Sequence, residues 1–448
     1  MAAGSAVAPV PVSPAAGLWP ALRQLPGVVR AGSTPAKLWM ALAGLLAVSL
    51  LWGAVAAWTA AGHASAAGNV VAVSEPLSFD AQQIYRSLSD ADATEAAAFL
   101  SGGLEPLALR ARYQADIAQA ARYLEAATAA AGQSAARSRL ATLSAGLPVY
   151  AGLVETARAD NRLGLPLGAA YLRDASGFMR ARLLPAARGL YAQENAQLAA
   201  ADRRATGLPY AALVIAVAAA ASLVGSQWWL ARRTRRMLNP GLLAASIAGI
   251  VSLAWLLGAF TVARTHLIAA RDHGSAPVEA LARAQIAVLQ AHADESLTLI
   301  GRGGDDSFQR DFLSLQEQLG PGQGTLLTSA AVVAQGSRGG QWAAGASADA
   351  PYWFTAHRQV RSLDNSGHYP AAVRDALSTS APVDSATTFR TLDADLTSAI
   401  AADQVSFRSA AQLGRDAFIG LEAGMVVLSL VMAAGCVWGI SRRLVEYR

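Results

Sequence analysis

Four long apolar runs divide the chain: Leu38–Ala61, Pro209–Leu230, Leu242–Val262 and Phe418–Ile440. A helix crossing a hydrocarbon core of ~30 Å needs about 20 apolar residues. Each run meets that length, and none holds an Arg, Lys or Asp. Glu422 is their single acid, placed near one end where a carboxylate reaches the interface. Between the runs, residues 62–208 and 263–417 show apolar positions at spacings of three and four, without strand alternation. Ile84, Leu88, Ala91, Glu95, Ala98 and Phe99 trace one imperfect stripe, and Tyr113, Ile117, Ala120 and Leu124 another. Ile286, Leu289, Ala293, Leu297 and Ile300 trace a cleaner one, followed by Phe308, Phe312, Leu315 and Leu319. Such stripes are the seams of helical bundles.

The two long segments also resemble each other. Ser89 to Glu95, then Phe99-Leu100 and Gly102-Gly103, has a counterpart in Ala291 to Ser296, then Leu299-Ile300 and Gly303-Gly304. Each Gly pair would end a helix. A further stripe follows each, bearing Arg110, Arg112 and Tyr113 in one half and Arg310 and Phe312 in the other. This is an internal repeat. It predicts an all-α membrane protein with four transmembrane helices and two tandem extracytoplasmic four-helix bundles, with the first and last helix of each bundle continuing into the spans. Pro148, Pro166 and Pro185 are expected to bound or kink helices of the first bundle. Residues 320–350, rich in Gly, Ser and Ala, are expected to be a loose connection holding at most a short helix, matched by the turn Asn161–Pro166 in the first half.

Charge then orients the spans. Residues 1–37, with Pro9, Pro11, Pro14 and Pro20, read as a disordered tail carrying Arg23, Arg30 and Lys37 and no acid. The 231–241 connection carries Arg232, Arg233, Arg235 and Arg236, and the 441–448 tail carries Arg442, Arg443 and Arg448 against Glu446. The excess of basic residues places these three segments, and hence both termini, in the cytoplasm at the plasma membrane. The pI of 9.6 therefore follows from topology rather than from nucleic-acid binding. Trp39, Trp228, Trp229 and Trp438 near the cytoplasmic ends and Trp58 near an outer end fit an aromatic belt. Ala64-Ser65-Ala66 resembles a signal-peptidase site, but the run before it exceeds the usual core of about 7–15 residues, so a retained span is expected.

Little in the sequence points to catalysis. Cys436 is the only cysteine, and the six histidines show no ligand spacing. No phosphate-binding or nucleophile motif is placed to act, so no catalytic, cofactor or metal site is expected. His292 beside Asp294 and Glu295, and His357 near Trp353, read more simply as charged surface. Asp90, Asp92, Glu95, Asp294 and Glu295 lie beside the apolar stripes, as solvated faces or as an outer partner-binding surface. Arg110, Arg112, Arg158 and Arg162 have the chemistry to hold an acidic ligand by bidentate contacts. Arg232, Arg233, Arg235, Arg236, Arg442 and Arg443 form the candidate cytoplasmic docking surface; setting topology and touching anionic lipid is the simpler reading of them, and the two roles can coexist.

The architecture resembles bacterial chemoreceptor-type sensors, with two bundles and four spans supplied by one chain as a fused pseudo-dimer. Leu88–Thr94, Phe99–Pro106, Glu155–Gly164, the connection Arg232–Gly241 and the end Glu446-Tyr447-Arg448 resemble the GlnX-like family of actinobacterial membrane proteins. The resemblance covers residues 38–448 and is more specific in the first half. It implies a relay, in which a solute-binding lipoprotein senses aspartate- or glutamate-type amino acids outside and a soluble serine/threonine kinase of the protein kinase G type responds inside. The partners so implied are that lipoprotein, that kinase and the lipid bilayer, with no nucleic acid. The alternative is a small transporter or a transporter accessory subunit, which the absence of central charges and of proline-broken spans disfavours.

Overall fold

The computed structural model describes residues 34–103, 105–130, 136–234, 239–302 and 306–445, and every regular element among them is helical. Most of the expected N-terminal tail and the pair Gly303-Gly304 lie outside these residues. Four helical runs are long and apolar enough to cross a membrane: Leu38–Leu100, Leu167–Trp229, Pro240–Gly301 and Ser385–Arg442. The chain is a multi-pass, all-α membrane protein with two tandem four-helix bundles.

Helix α1 (Thr34–Asn69) carries the first apolar run and passes through a π-helical turn, Val70–Ser74, into α2 (Glu75–Leu100). The first bundle continues with α3 (Leu107–Ala130), α4 (Arg137–Arg162), α5 (Leu167–Phe178), a π-helical turn at Met179–Leu183, and α6 (Leu184–Thr206). Helices α7 (Tyr210–Thr234) and α8 (Pro240–Ala270) carry the second and third apolar runs. A π-helical turn, Arg271–Ser275, joins α8 to α9 (Ala276–Gly301). The second bundle continues with α10 (Ser307–Leu319), α11 (Leu326–Val333), α12 (Gly340–Asn365), α13 (Tyr369–Leu377) and α14 (Ser385–Asp416), and α15 (Leu421–Val445) carries the fourth apolar run.

Each π-helical turn stands just before a proline near the start of the next helix: Pro76, Pro185 and Pro277. Proline offers no N–H and its ring crowds the carbonyl four residues back. Widening the preceding turn relieves that crowding without ending the helix. The first and third spans therefore run on as unbroken helices into α2 and α9. The return helices do not continue, contrary to expectation. Gly207 is extended (φ −60°, ψ 146°) ahead of Pro209, and Gly420 takes φ +75° between α14 and α15.

The repeat is visible in the elements. Helices α2 and α9 each have 26 residues, as do α4 and α12. Both α4 and α12 contain an internal proline, Pro148 or Pro351. Both end near a left-handed glycine, Gly164 (φ +70°) or Gly367 (φ +81°). The counterpart of the Asn161–Pro166 turn is thus residues 364–370, not 320–350. The expectation of a loose 320–350 connection is corrected as well, since α11 and the start of α12 occupy most of it. Alanine favours helix, and Asp403 of α14 caps the entry to α12, accepting from the Gly339 N–H at 2.7 Å and the Ser337 hydroxyl at 3.0 Å.

The two bundles share a core. Ile286 of α9 joins the apolar cluster of the first bundle, and Leu297 of α9 packs with Ala96, Ala157 and Leu172. Leu100 packs with Leu299 and Val360. Helices α2 and α9 lie against each other at the centre, buried on nearly every side over Ser87–Ala98 and Ala284–Leu299.

Among the described residues, the spans form a compact unit of their own, from residues 34–55, 211–234, 239–253 and 425–445. Trp52 donates its indole N–H to the Ser252 hydroxyl at 2.9 Å, tying α1 to α8. Gln227 donates to the Ser246 hydroxyl at 2.8 Å, tying α7 to α8. Gly241, Gly435 and Gly439 let α8 and α15 meet backbone to backbone, and Asn239 Nδ2 donates to the Gly439 carbonyl at 2.8 Å. Small residues four apart are a usual way for membrane helices to close up. A Cβ on Gly435 would stand 2.7 Å from the Gly241 carbonyl oxygen, whereas one on Gly225 would meet nothing within 4 Å. Gly435→Leu should therefore lower stability by about 1–3 kcal/mol, read as an earlier melting transition in detergent. Gly225→Leu should leave the transition in place; equal shifts from both would mean the α8–α15 contact has no special tightness.

Candidate functional site

Where α2 meets α9, the helices carry charge. Asp90, Asp92 and Glu95 lie on α2, and Asp294 and Glu295 lie on α9, all at most 4% exposed. The expectation of a solvated or partner-facing surface is corrected: each carboxylate is enclosed and bonded within the chain. The polar face of each helix turns toward other helices of the paired bundles rather than toward water.

Four arrangements hold these acids. Arg112 of α3 donates to Asp90 at 2.8 Å and reaches across to Asp393 of α14 at 3.3 Å. Gln285 of α9 donates to the other Asp393 oxygen at 2.9 Å, so this chain of contacts crosses from one bundle to the other. Asp92 accepts from the Ser176 hydroxyl at 2.7 Å and lies 3.9 Å from Arg180, which pairs with Asp294 of α9 at 2.5 Å. That is a second crossing. Glu95 is paired with Arg158 of α4, which also contacts Glu105 at 3.1 Å and Glu155 at 2.7 Å and stacks its guanidinium 4.3 Å from the Tyr113 ring. Glu295 accepts from the Ser385 hydroxyl at 2.8 Å and lies 3.0 Å from His357 Nδ1 and 3.5 Å from His292 Nδ1. The two imidazoles stack on Phe312 and Phe389 at centroid separations of 3.5 and 3.7 Å.

Burial raises the pKa of Asp90, Asp92 and Glu95, with Arg112, Arg180 and Arg158 respectively opposing it. Asp116 of α3, buried and beside Asp90, is pushed up to about 8 by burial and then by the Asp90 charge. Asp294 is pushed up to about 7 by burial, against the pull of Arg180. Glu295 goes the other way. Burial acts upward on it, but hydrogen bonds from His292 and His357 outweigh that and hold it down at about 2. The arrangement offers no open nucleophile, and among the described residues no group of His, Cys, Asp and Glu is placed to hold a metal ion. Its chemistry is structural and electrostatic, a buried seam of charge joining two bundles.

Of the arginines with the chemistry to hold an acidic ligand, Arg112 and Arg158 are taken up by internal carboxylates. Arg110 is half-buried and Arg162 exposed at the end of α4. Arg180, Gln285 and Asp393, which carry the crossings, were not singled out by the sequence. Nothing local marks them, since their partners across the bundles lie 108 to 281 residues away in the chain. His357, read from the sequence as surface, is buried against Glu295. Among the residues expected to face the cytoplasm, Arg232 lies over the Trp228 ring at 3.8 Å and Arg442 over the Trp438 ring at 5.3 Å. Arg235 and Arg236, and the side chains of Arg233 and Arg443, lie outside the described residues.

Residues 66–203 match the family model of the actinobacterial sensor domain. The match runs from the end of α1 into the last turn of α6, and it assigns the chain a sensing or signalling role. No curated protein and no solved structure matches the chain.

Two outcomes follow from the seam. Arg158→Met strands Glu95 in the core and should cost about 3–5 kcal/mol, while adding Glu95→Leu should recover most of the loss in chemical denaturation. Asp116 and Asp294 hold their protons to higher pH in the folded chain than in the unfolded one. The stability this contributes is complete below about pH 4 and is lost as pH rises through 7 to 8. Glu295 contributes above its unfolded pKa of 4.5 and loses that contribution as pH falls toward 2. The melting temperature should thus peak near pH 4 and decline toward pH 8.5, with a shallower decline in Asp116→Asn.

Proposed function

We propose that this chain is a non-enzymatic transmembrane relay. It couples sensing of aspartate- or glutamate-type amino acids by an extracytoplasmic solute-binding lipoprotein to a cytoplasmic serine/threonine kinase. The bundles face outward and both termini face the cytoplasm. The reading rests on the sensor-domain match, the GlnX-like sequence resemblance and the placement of basic residues.

The observation that carries it is helix continuity. Two helices, α1–α2 and α8–α9, run unbroken from a membrane span into the centre of the paired bundles. There they meet across the charged seam. Partner binding that changes how α2 packs on α9 moves two stiff rods that are also spans. The breaks at Gly207–Pro209 and at residues 417–420 let the return spans respond separately. Such a relay needs two packing states that the partner binds with different affinity. On the cytoplasmic side the Arg232–Arg236 stretch and Arg442–Arg443 form the docking surface for the kinase. Asn239 and the glycine contact hold the start of α8 against the end of α15.

Affinity capture of the full chain from membranes of its own cell should enrich both a solute-binding lipoprotein and a soluble kinase. Reversing the charges at Arg232 and Arg442 should deplete the kinase and leave the lipoprotein. Robust amino-acid uptake by the reconstituted chain alone, with neither protein enriched, would overturn the relay in favour of transport.

A further inference from the structure

The two bundles meet along two sides of the α2–α9 pair, and the sides differ. On the α14 side, polar contacts seal the junction. Gln285, Asp393 and Arg112 form one crossing, Gln404 donates to Gln82 at 3.3 Å, and Arg408 pairs with Glu75 at 2.9 Å. On the α6 side the junction stands open as a cleft of about 640 Å³, walled by α2 and α6 of one bundle and α9, α10 and α11 of the other. A second hollow of about 360 Å³ continues it toward Arg180 and Asp294. Sites of about 300–1,000 Å³ with a few convergent polar groups suit small molecules.

The two hollows share Tyr85, Arg188, Gln290, Leu315 and Gln318. The Tyr85 hydroxyl is raised in pKa by burial, with Arg188 and Gln290 acting against that. Arg188 is exposed in the cleft, and among the described residues no carboxylate lies within ion-pair distance of it. It differs in this from Arg283, whose guanidinium is held by Glu279 at 2.8 Å. Deeper in, Arg180 keeps its Nε and Nη2 without a hydrogen-bond acceptor, although its Nη1 is bonded to Asp294. Asp294, fully buried, keeps Oδ2 without a donor. A free guanidinium, two carboxamides and a phenol line the cleft, and at its inner end Arg180 keeps two unbonded nitrogens beside Asp294 and Asp311. That is the chemistry of carboxylate recognition.

We propose that this cleft binds a small carboxylate ligand directly, with Arg188 as its principal cation and Gln290, Gln318 and Tyr85 as its polar partners. The ligand bridges the two bundles, because its contacts come from α2 and α6 on one side and α9 and α10 on the other. It also lies next to Arg180, which pairs with Asp294 and approaches Asp92, so occupancy bears on the seam crossing itself. The repeat explains why there is one such site. At the equivalent junction Arg112 and Asp393 are joined by further polar contacts along its length, whereas on the α6 side Arg180 closes only the inner end, on Asp294 and Asp311. The site belongs to this chain alone and stands whichever partners the chain takes.

The test uses the purified full-length chain in lipid nanodiscs, with no partner present. L-aspartate, L-glutamate and succinate are the probes, with L-lysine as the control. Calorimetric titration should give saturable binding for at least one of the three acids and none for lysine. Arg188→Ala should weaken it at least about tenfold, the loss expected for one charge-assisted hydrogen bond. Arg182→Ala, an exposed arginine outside the cleft, should leave it unchanged. Because Arg188 is exposed and unpaired, its variant should melt as the parent does, so lost binding will not reflect misfolding. Absence of saturation with all three acids at millimolar concentration overturns the proposal, as does equal binding by Arg188→Ala. Arg188 proving necessary only for capture of a protein partner also overturns it, by making the cleft a protein interface.

Discussion

Five buried carboxylates on two central helices are the constraint on which the bundles depend. Asp90, Asp92, Glu95, Asp294 and Glu295 are withdrawn from water where α2 packs on α9. An unpaired buried carboxylate is costly enough that a fold tolerates it only with partners in place. Those partners come from α3, α4, the turn before α6, α12 and α14. Each of these elements must therefore arrive in register for the centre to close. The apolar core supplies the driving force, at about 1.5–3 kcal/mol for each fully buried large side chain, and the charges restrict which packing is acceptable.

The same arrangement makes the centre responsive. A wholly apolar interface between α2 and α9 would be insensitive to protons and to charged ligands. Here two crossings, Arg112–Asp393 and Arg180–Asp294, link the bundles through groups whose strength depends on ionisation and on competing anions. Helices that meet at this seam are continuous with spans, through π-helical turns that accommodate Pro76 and Pro277 without breaking the rod.

Repetition explains much of the asymmetry. The halves share the lengths of α2 and α9 and of α4 and α12, a π-helical turn ahead of α2 and of α9, an internal proline and a left-handed glycine at matching places. They differ in the residues at the two junctions, one sealed by Arg112 and Asp393 and the other left as a cleft beside Arg188. A dimer of identical chains would carry both junctions alike. Placing both halves on one chain frees each junction to take its own residues.

The sequence by itself determined the four spans, the helical class and the repeat. These are set by local properties: the length of apolar runs, the period of apolar positions, and prolines and glycines at helix ends. It also marked Asp90, Asp92, Glu95, Asp294 and Glu295 as residues worth attention, but placed them on the wrong side of the protein surface. The stripe through Ile84 and Glu95 was imperfect because α2 is buried on nearly all sides, and a helix without a solvent face has no amphipathic period to read. Only the tertiary structure decided that the bundles share a core, that Arg180 and Asp393 carry the crossings, and that one junction stays open. Those outcomes depend on pairing between residues more than a hundred positions apart, whose preference for one another leaves no trace in the spacing along the chain.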